Sequence, residues 1–461
     1  MPGYPLGPIG RALGGRWTAP PPEWASGVTT DSREARPDAL FVALRGERFD
    51  GHDYVAQAAS AGAVAAIVDR ELASAPIPLL VTPNSLRAYQ GLARWRRERF
   101  AAPVIGITGS VGKTSTREMM ACALGALGPV LQSERNENNE VGVPRTLLRL
   151  RPEHAVVVVE MGMRGRGQIA ELADIARPDA AVLTNIGLSH IELVGSRDGI
   201  ASAKAELLEA LPPGGVAVVP ADDDYAHWLV GRVRCRVVTF GVAREADFRA
   251  RDVRLGADGA PEFRIGGVTV RLRAPGAHHV ANAVAAAAMA CALGVSLAEA
   301  AARIEAFRPP DMRLAALEGE RGVLVLDDTY NAAPDSVRAA LETLAMVASS
   351  QGRRALVFLG AMRELGEHAA EAHRHAGELA ARSGAALVVA VGSGAEPIAV
   401  AAAAAGAESL WLPDSETAAA RALDLIQPGD IVLAKGSRAI AMERVVRALV
   451  APGPGGAEER A

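Results

Sequence analysis

The residues best equipped for chemistry lie in "PVIGITGSVGKTSTREMM", Pro103 to Met120. Gly109 and Gly112 permit sharp backbone turns, so the stretch Thr108, Gly109, Ser110, Val111, Gly112, Lys113, Thr114 and Ser115 can aim several N–H groups at one anion. Lys113 would reach the outer phosphates of a nucleotide, and the Thr114 hydroxyl would face its Mg²⁺. One feature departs from the general phosphate-loop pattern, which has glycine five positions before Gly112; here that position is Ile107.

Such a loop needs a strand to deliver it and a helix to receive it. The apolar run Val104 to Ile107 predicts a buried parallel strand, and Thr114 to Leu127 has helical character, with Met119, Met120 and Leu124 available for packing. In a parallel α/β sheet, polar residues just after strands lie at the carboxyl edge, where ligands bind. Glu160 follows "AVVVV" and offers hard carboxylate oxygens to a nucleotide-bound Mg²⁺. His190, after "VLTNIGLS", falls at a neighbouring strand end.

The 461 residues exceed a single typical core and imply about three domains. Aromatic residues are only 4% of the chain, so the core must be mostly aliphatic. With a net charge of −4 and basic residues spread throughout, the balance gives no support for nucleic acid or an anionic membrane as the main partner. Cys122, Cys235 and Cys291 are widely separated, which argues for a reducing, cytoplasmic setting and against a thiolate metal site. Pro and Gly interrupt "MPGYPLGPIGRALGGRW", and the Ala-rich "AVAAAAMACALGV" is shorter than the roughly 20 residues a bilayer requires.

Three blocks follow one another: residues 1–100, 101–309 and 310–461. The first holds strand-like "ALFVAL" and "AVAAIV" and ends in the basic helix-like "SLRAYQGLARWRRERF". The second alternates "AVVVVEMG" and "AAVLTNIG" with helical segments, the pattern of a mostly parallel sheet. The third repeats the alternation in "GVLVLDDTY", "RALVFLGAM", "AALVVAVGS" and "DIVLAKGS", and its tail "APGPGGAEERA" reads as frayed. The fold class is α/β.

"GITGSVGKTS" resembles the variant phosphate loop of the ATP-dependent Mur ligases and folylpolyglutamate synthetases, in which the first glycine is absent. The resemblance extends over nearly the whole chain and implies the three-domain Mur ligase architecture, with a central phosphate-loop sheet and a C-terminal Rossmann-like domain. It matches "NENNEVGVP" to an Asn-rich loop carrying Asn138 and Asn139, and "PGAHHVANAV" to an adenine-binding stretch with Asn282 at the base. Arg313 of "DMR", and Asp328 and Asn331 of "DDTYNAAPDS", match contacts to ATP and substrate from the C-terminal domain. Lys204, fourteen residues after His190, matches a lysine that many Mur ligases carry as a carbamate; a helix lysine paired with Glu206, or one binding phosphate directly, is also compatible with the sequence.

Within the family the third block is most similar to the MurF branch, and "DSREARPDALFVALRGERFDGH" is similar to a UDP-sugar end, placing Ser32, Arg33, Arg45 and Gly46 near the nucleotide-sugar. The resemblance implies a monomeric ADP-forming amide ligase using ATP and Mg²⁺, with UDP-N-acetylmuramoyl-tripeptide and D-alanyl-D-alanine as substrates. Thr114 and Glu160 would hold one Mg²⁺, and His190 with a carbamylated Lys204 a second. Three positions depart from the pattern of that branch: His279, Ala333 and Ala361.

Overall fold

The computed structural model describes residues 3–450; the "APGPGGAEERA" tail lies outside the described residues. Besides a two-stranded ribbon of Tyr4–Pro5 with Trp24–Ala25, three larger sheets follow one another along the described residues. The first has five strands, in the order Arg16–Trp17, Leu79–Val81, Ala63–Val68, Ala39–Val42 and Gly27–Thr29, parallel except at its first pair. Helix Ser85–Arg97 follows it, capped by Asn84, whose side chain accepts from Arg87 N at 2.8 Å.

The central sheet has nine strands, and Val104–Thr108 lies inside it between Val156–Glu160 and Ala180–Leu183. All three strands are buried along their whole length, which is why their sequences read as unbroken apolar runs. The register sets Ile107 opposite Glu160 and Thr108 opposite Leu183, so the loop, the carboxylate and the stretch leading to His190 leave the sheet at one edge. Gly106 lets helix Arg197–Glu209 come close, since a Cβ there would sit 2.7 Å from Leu207 Cδ1.

Helix Lys113–Leu124 begins one residue before the predicted Thr114 and ends three before Leu127, with Gly125 at its C-cap. Met119, Met120 and Leu124 are fully buried, as their spacing predicts. It packs on helix His278–Ala292, whose run of alanines is the Ala-rich stretch of the sequence and is buried from Ala283 to Ala290. Small side chains let the two backbones approach. No described helix is long and apolar enough to cross a membrane.

The third sheet has six strands and is parallel except at its first pair. Leu324–Asp328 and Ile431–Lys435 are neighbours in it, with Asp328 opposite Lys435. The sequence does not announce the antiparallel ribbon Phe248–Leu255, Pro261–Ile265 and Val268–Arg271 at the far edge of the central sheet. Much of its first strand is exposed, so the apolar signal that marks the inner strands is missing there.

Candidate active site

The phosphate-type loop is held open by its two glycines and by the next strand end. Gly109 has φ +151°, and a Cβ there would lie 1.7 Å from Thr184 Oγ1; Gly112 has φ +81°, and its Cβ would lie 2.6 Å from Asn282 Oδ1. Both the backbone angle and the space therefore require glycine. Ser110 N donates to Asn185 O at 3.0 Å, Val111 N to Asn185 Oδ1 at 3.1 Å, and Gly187 N to Ser110 Oγ at 2.8 Å. The Ser110 and Val111 amides are thus engaged by Asn185, while both residues still line the cavity. The first-turn amides of helix Lys113–Leu124 have no intrahelical acceptor, a donor arrangement suited to an anion.

Lys113 Nζ donates to Gly109 O at 2.7 Å, curling over the loop. Burial lowers its ammonium pKa, Glu160 opposes that shift and Arg313 adds to it. Thr114 Oγ1, in the first turn of the helix, donates to Glu160 Oε2 at 3.0 Å. The Glu160 carboxylate is 3% exposed and also receives Asn138 Nδ2 at 3.0 Å and Arg117 Nη1 at 3.4 Å. Arg117 was not singled out from the sequence; its position one helical turn after Thr114 is the signal that points it to the same carboxylate. Thr114 and Glu160 thus present hard oxygens side by side, a donor set that fits Mg²⁺.

His190 has φ +65°, and its Nδ1 lies against the Glu364 carboxylate. Burial lowers its pKa, while Glu364 raises it and Lys113 and Lys204 lower it further. Lys204 is 2% exposed, and no described residue accepts a hydrogen bond from it. Burial, then Lys113, drives its pKa well below the ordinary lysine value. Glu206 is not its partner: that carboxylate accepts from Gly167 N at 2.7 Å and Ala170 N at 3.0 Å, at the start of helix Gln168–Ala176. Among the described residues no three His, Cys, Asp or Glu side chains converge as a metal cluster.

The third sheet supplies the opposite wall. Arg313 Nη2 donates to Thr114 Oγ1 at 3.3 Å, with its guanidinium 3.9 Å from the centre of the Tyr330 ring. Asp328 Oδ2 accepts from Lys435 Nζ at 2.6 Å, and Asn331 O accepts from the same nitrogen at 2.8 Å. Lys435 was also missed, although a lysine ending the apolar run "DIVLAK" carries the strand-end signal used for Glu160. Asn282 Oδ1 accepts from Thr116 Oγ1 at 3.2 Å and borders Gly112.

These side chains line one cavity of about 1060 Å³, which Lys113, Thr114, Glu160, His190, Lys204, Asn138, Asn139, Asn282, Arg313, Asp328 and Asn331 all reach. Asn139 spends its side-chain oxygen on Gly142 N at 2.9 Å, capping the next helix. Ser32, Arg33, Arg45 and Gly46 are not brought to this cavity; the first sheet region reaches it through Asn84, Leu86 and Arg87. Ser32 bonds Gln57 Oε1 at 2.8 Å, while Arg33 and Arg45 pair with Asp31 and Asp69 at 2.6 and 2.8 Å. Gly46 N donates to Phe49 O at 2.9 Å.

Residues 25–90 match the Mur ligase family catalytic domain, 107–290 the Mur ligase middle domain and 312–438 the Mur ligase glutamate ligase domain. The UDP-N-acetylmuramoyl-tripeptide–D-alanyl-D-alanine ligase of Escherichia coli is 38% identical over 430 residues, covering 92% of this chain and 93% of its own. The chain belongs to the Mur ligase family. A crystal structure of MurF from Acinetobacter baumannii superposes on this Mur ligase with a TM-score of 0.89 and 34% identity, covering 97% of this chain and 99% of that one. MurF ligase from Thermotoga maritima, solved in complex with ADP, has a TM-score of 0.80 and 30% identity, with 92% and 96% covered. As a Mur ligase, the chain is an ATP-dependent ligase with the α/β architecture of that family.

Proposed function

We propose that this Mur ligase joins D-alanyl-D-alanine to UDP-N-acetylmuramoyl-tripeptide, with ATP converted to ADP and phosphate. The observation that carries the reading is the likeness, over more than nine-tenths of both chains, to a ligase named for that reaction. The chain acts as a monomer, since Lys113, Glu160, Arg313 and Lys435 all come from one chain to one cavity. It works in the cytoplasm, a reducing compartment suited to its three free cysteines. We assign three domains, residues 1–100, 101–309 and 310–461, a division supported by one larger sheet in each.

A carboxylate is a poor electrophile. The terminal carboxylate of the tripeptide attacks the γ-phosphorus of ATP, the bond to ADP breaks, and an acyl phosphate forms. The dipeptide nitrogen then attacks the acyl carbon, phosphate leaves, and the nitrogen gives up a proton. Lys113 and the first-turn amides of its helix neutralise the outer phosphates, and Arg313 joins them from the third sheet. Asn282 would meet the adenine, Asp328, held by Lys435, would meet ATP from the third sheet, and Asn138 steers Glu160. Asn331, which lines the cavity, would contact substrate there, and Ser32, Arg33, Arg45 and Gly46, outside it, would serve the nucleotide-sugar end.

Thr114 and Glu160 would hold Mg²⁺, which supplies charge neutralisation at the β- and γ-phosphates. Lys204 is a carbamate in the working enzyme: its neutral amine adds to the carbon of CO₂ and loses one proton, leaving a carboxylate. Its burial without an acceptor supports this, because burial favours the neutral amine that the addition consumes. With His190 it then offers a second cation site near the acceptor carboxylate.

Phosphate release measured with UDP-muramoyl peptides crossed against D-Ala-D-Ala, free diamino acids and glutamate tests the reading. Release should require the tripeptide and D-Ala-D-Ala together. Efficient addition of a free diamino acid to the dipeptide precursor, with none of D-Ala-D-Ala, would move the chain to another branch of the family.

A further inference from the structure

Two residues in left-handed backbone meet across the cavity. His190 has φ +65° and Glu364 has φ +62°, a conformation that is strained for a non-glycine residue and persists only where its surroundings hold it. The Glu364 carboxylate lies against His190 Nδ1, while no described residue bonds Nε2. The loop bearing Glu364 is itself fixed: Met362 N donates to His373 Nε2 at 2.7 Å and Arg363 N to Ser437 Oγ at 2.9 Å. Just beyond it, Gly366 at φ +54° sits so close to Glu192 that an added Cβ would be 3.2 Å from Glu192 Cγ. The segment after His190 and the loop around Glu364 are therefore seated on each other.

We propose that Glu364 is a positioning residue for His190. It holds the imidazole through Nδ1, so that Nε2 keeps its lone pair and faces the cavity. A carboxylate at one ring nitrogen fixes the proton there and sets the ring plane, leaving the other nitrogen as the acceptor. Because Glu364 belongs to the third sheet region and His190 to the central one, the histidine reaches its working orientation only when the two regions are seated together. The inference rests on the reading of His190 as a residue of the reacting site.

The test uses the full-length chain, metal-free, with and without ADP, at a pH where the imidazole is neutral. Side-chain ¹⁵N spectra of wild type, Glu364→Ala and Glu364→Gln report the His190 tautomer, and steady-state ligation reports its use. The wild type should carry its proton on Nδ1. Glu364→Ala should shift it toward Nε2 and lower kcat at least about tenfold, with KM for ATP little changed. Glu364→Gln, whose side-chain oxygen still accepts from Nδ1, should keep the wild-type tautomer and most of the turnover. A wild-type proton on Nε2, a tautomer indifferent to Glu364→Ala, or a Gln variant that fails as completely as Ala would each overturn the proposal. Failure of wild type to ligate D-Ala-D-Ala would instead sink the functional reading, while the tautomer spectra would still decide the role of Glu364.

Discussion

Lys435 and Asp328 stand 107 positions apart in the chain, yet parallel strand register sets them side by side with Nζ 2.6 Å from Oδ2. The lysine is 2% exposed, and burial lowers its pKa while Asp328 raises it. Removing one partner strands the other charge, so Lys435→Met should cost about 3–5 kcal/mol of stability. The double variant Lys435→Met with Asp328→Leu should recover much of that loss. Urea unfolding of the three variants checks it, and equal midpoints for the single and double variants would refute it.

Lys113→Ala should lower turnover beyond about a hundredfold, because preorganised charge at a transferring phosphate contributes several kcal/mol. Thr114→Ala and Glu160→Ala should raise the Mg²⁺ concentration needed for half-maximal rate, since each removes an oxygen donor from the same pair. Phosphate release titrated with Mg²⁺ reads both effects. Near-normal turnover and unchanged Mg²⁺ dependence in all three would contradict the site.

For Gly112→Ala we expect weakened nucleotide binding with the fold retained. The backbone angle of φ +81° and the 2.6 Å approach to Asn282 Oδ1 both oppose a methyl group. ADP affinity by calorimetry, together with an unchanged far-ultraviolet dichroism spectrum, is the measurement. Wild-type ADP affinity would show that the loop tolerates a Cβ.

Lys204→Ala should abolish most activity, and a short carboxylate in excess should restore part of it by occupying the space left around the missing side chain. Removing dissolved CO₂ should slow the wild type and leave Lys204→Ala unaffected. A bare amine in high-resolution density of the active complex, with full activity of Lys204→Ala, would rule out the carbamate.

Acid should destabilise the fold before carboxylates titrate. Burial pushes the His278 imidazole from 6.5 down to about 4, and His279 well below its ordinary value. The unfolded chain therefore takes up protons that the folded one refuses. Stability from this pair is complete above about pH 6.5 and is lost as pH falls toward 4, by up to about 1.4 kcal/mol per pH unit for each histidine. His279→Asn should flatten the slope of unfolding free energy between pH 7 and 5; an unchanged slope would mean His279 is already protonated in the folded state.

The phosphate loop, the inner strands and Glu160 were legible because each depends on a short range of sequence. A strand buried on both faces must be apolar along its length, and a loop that turns back on itself needs Gly109 and Gly112 within a few residues of Lys113. Resemblance carried Arg313, Asp328 and Asn282 to the cavity, where they lie. Local reading gave no sign that the Ser110 and Val111 amides bond Asn185, a partner more than 70 positions away. It also gave no hint that Asn139 would spend its side chain on a helix cap.

By itself the sequence determined the inner elements: the buried strands of the central and third sheets, and that a turn carrying Gly109 and Gly112 joins Val104–Thr108 to its helix. Only the tertiary structure decided the partners. Lys435 meets Asp328 through strand register, Arg313 meets Thr114 through the seating of the third sheet, and His190 meets Glu364 across two left-handed turns. The physical reason is range. Burial and backbone geometry act on neighbours along the chain, whereas a charge pair or hydrogen bond between distant residues exists only after packing has removed the water between them.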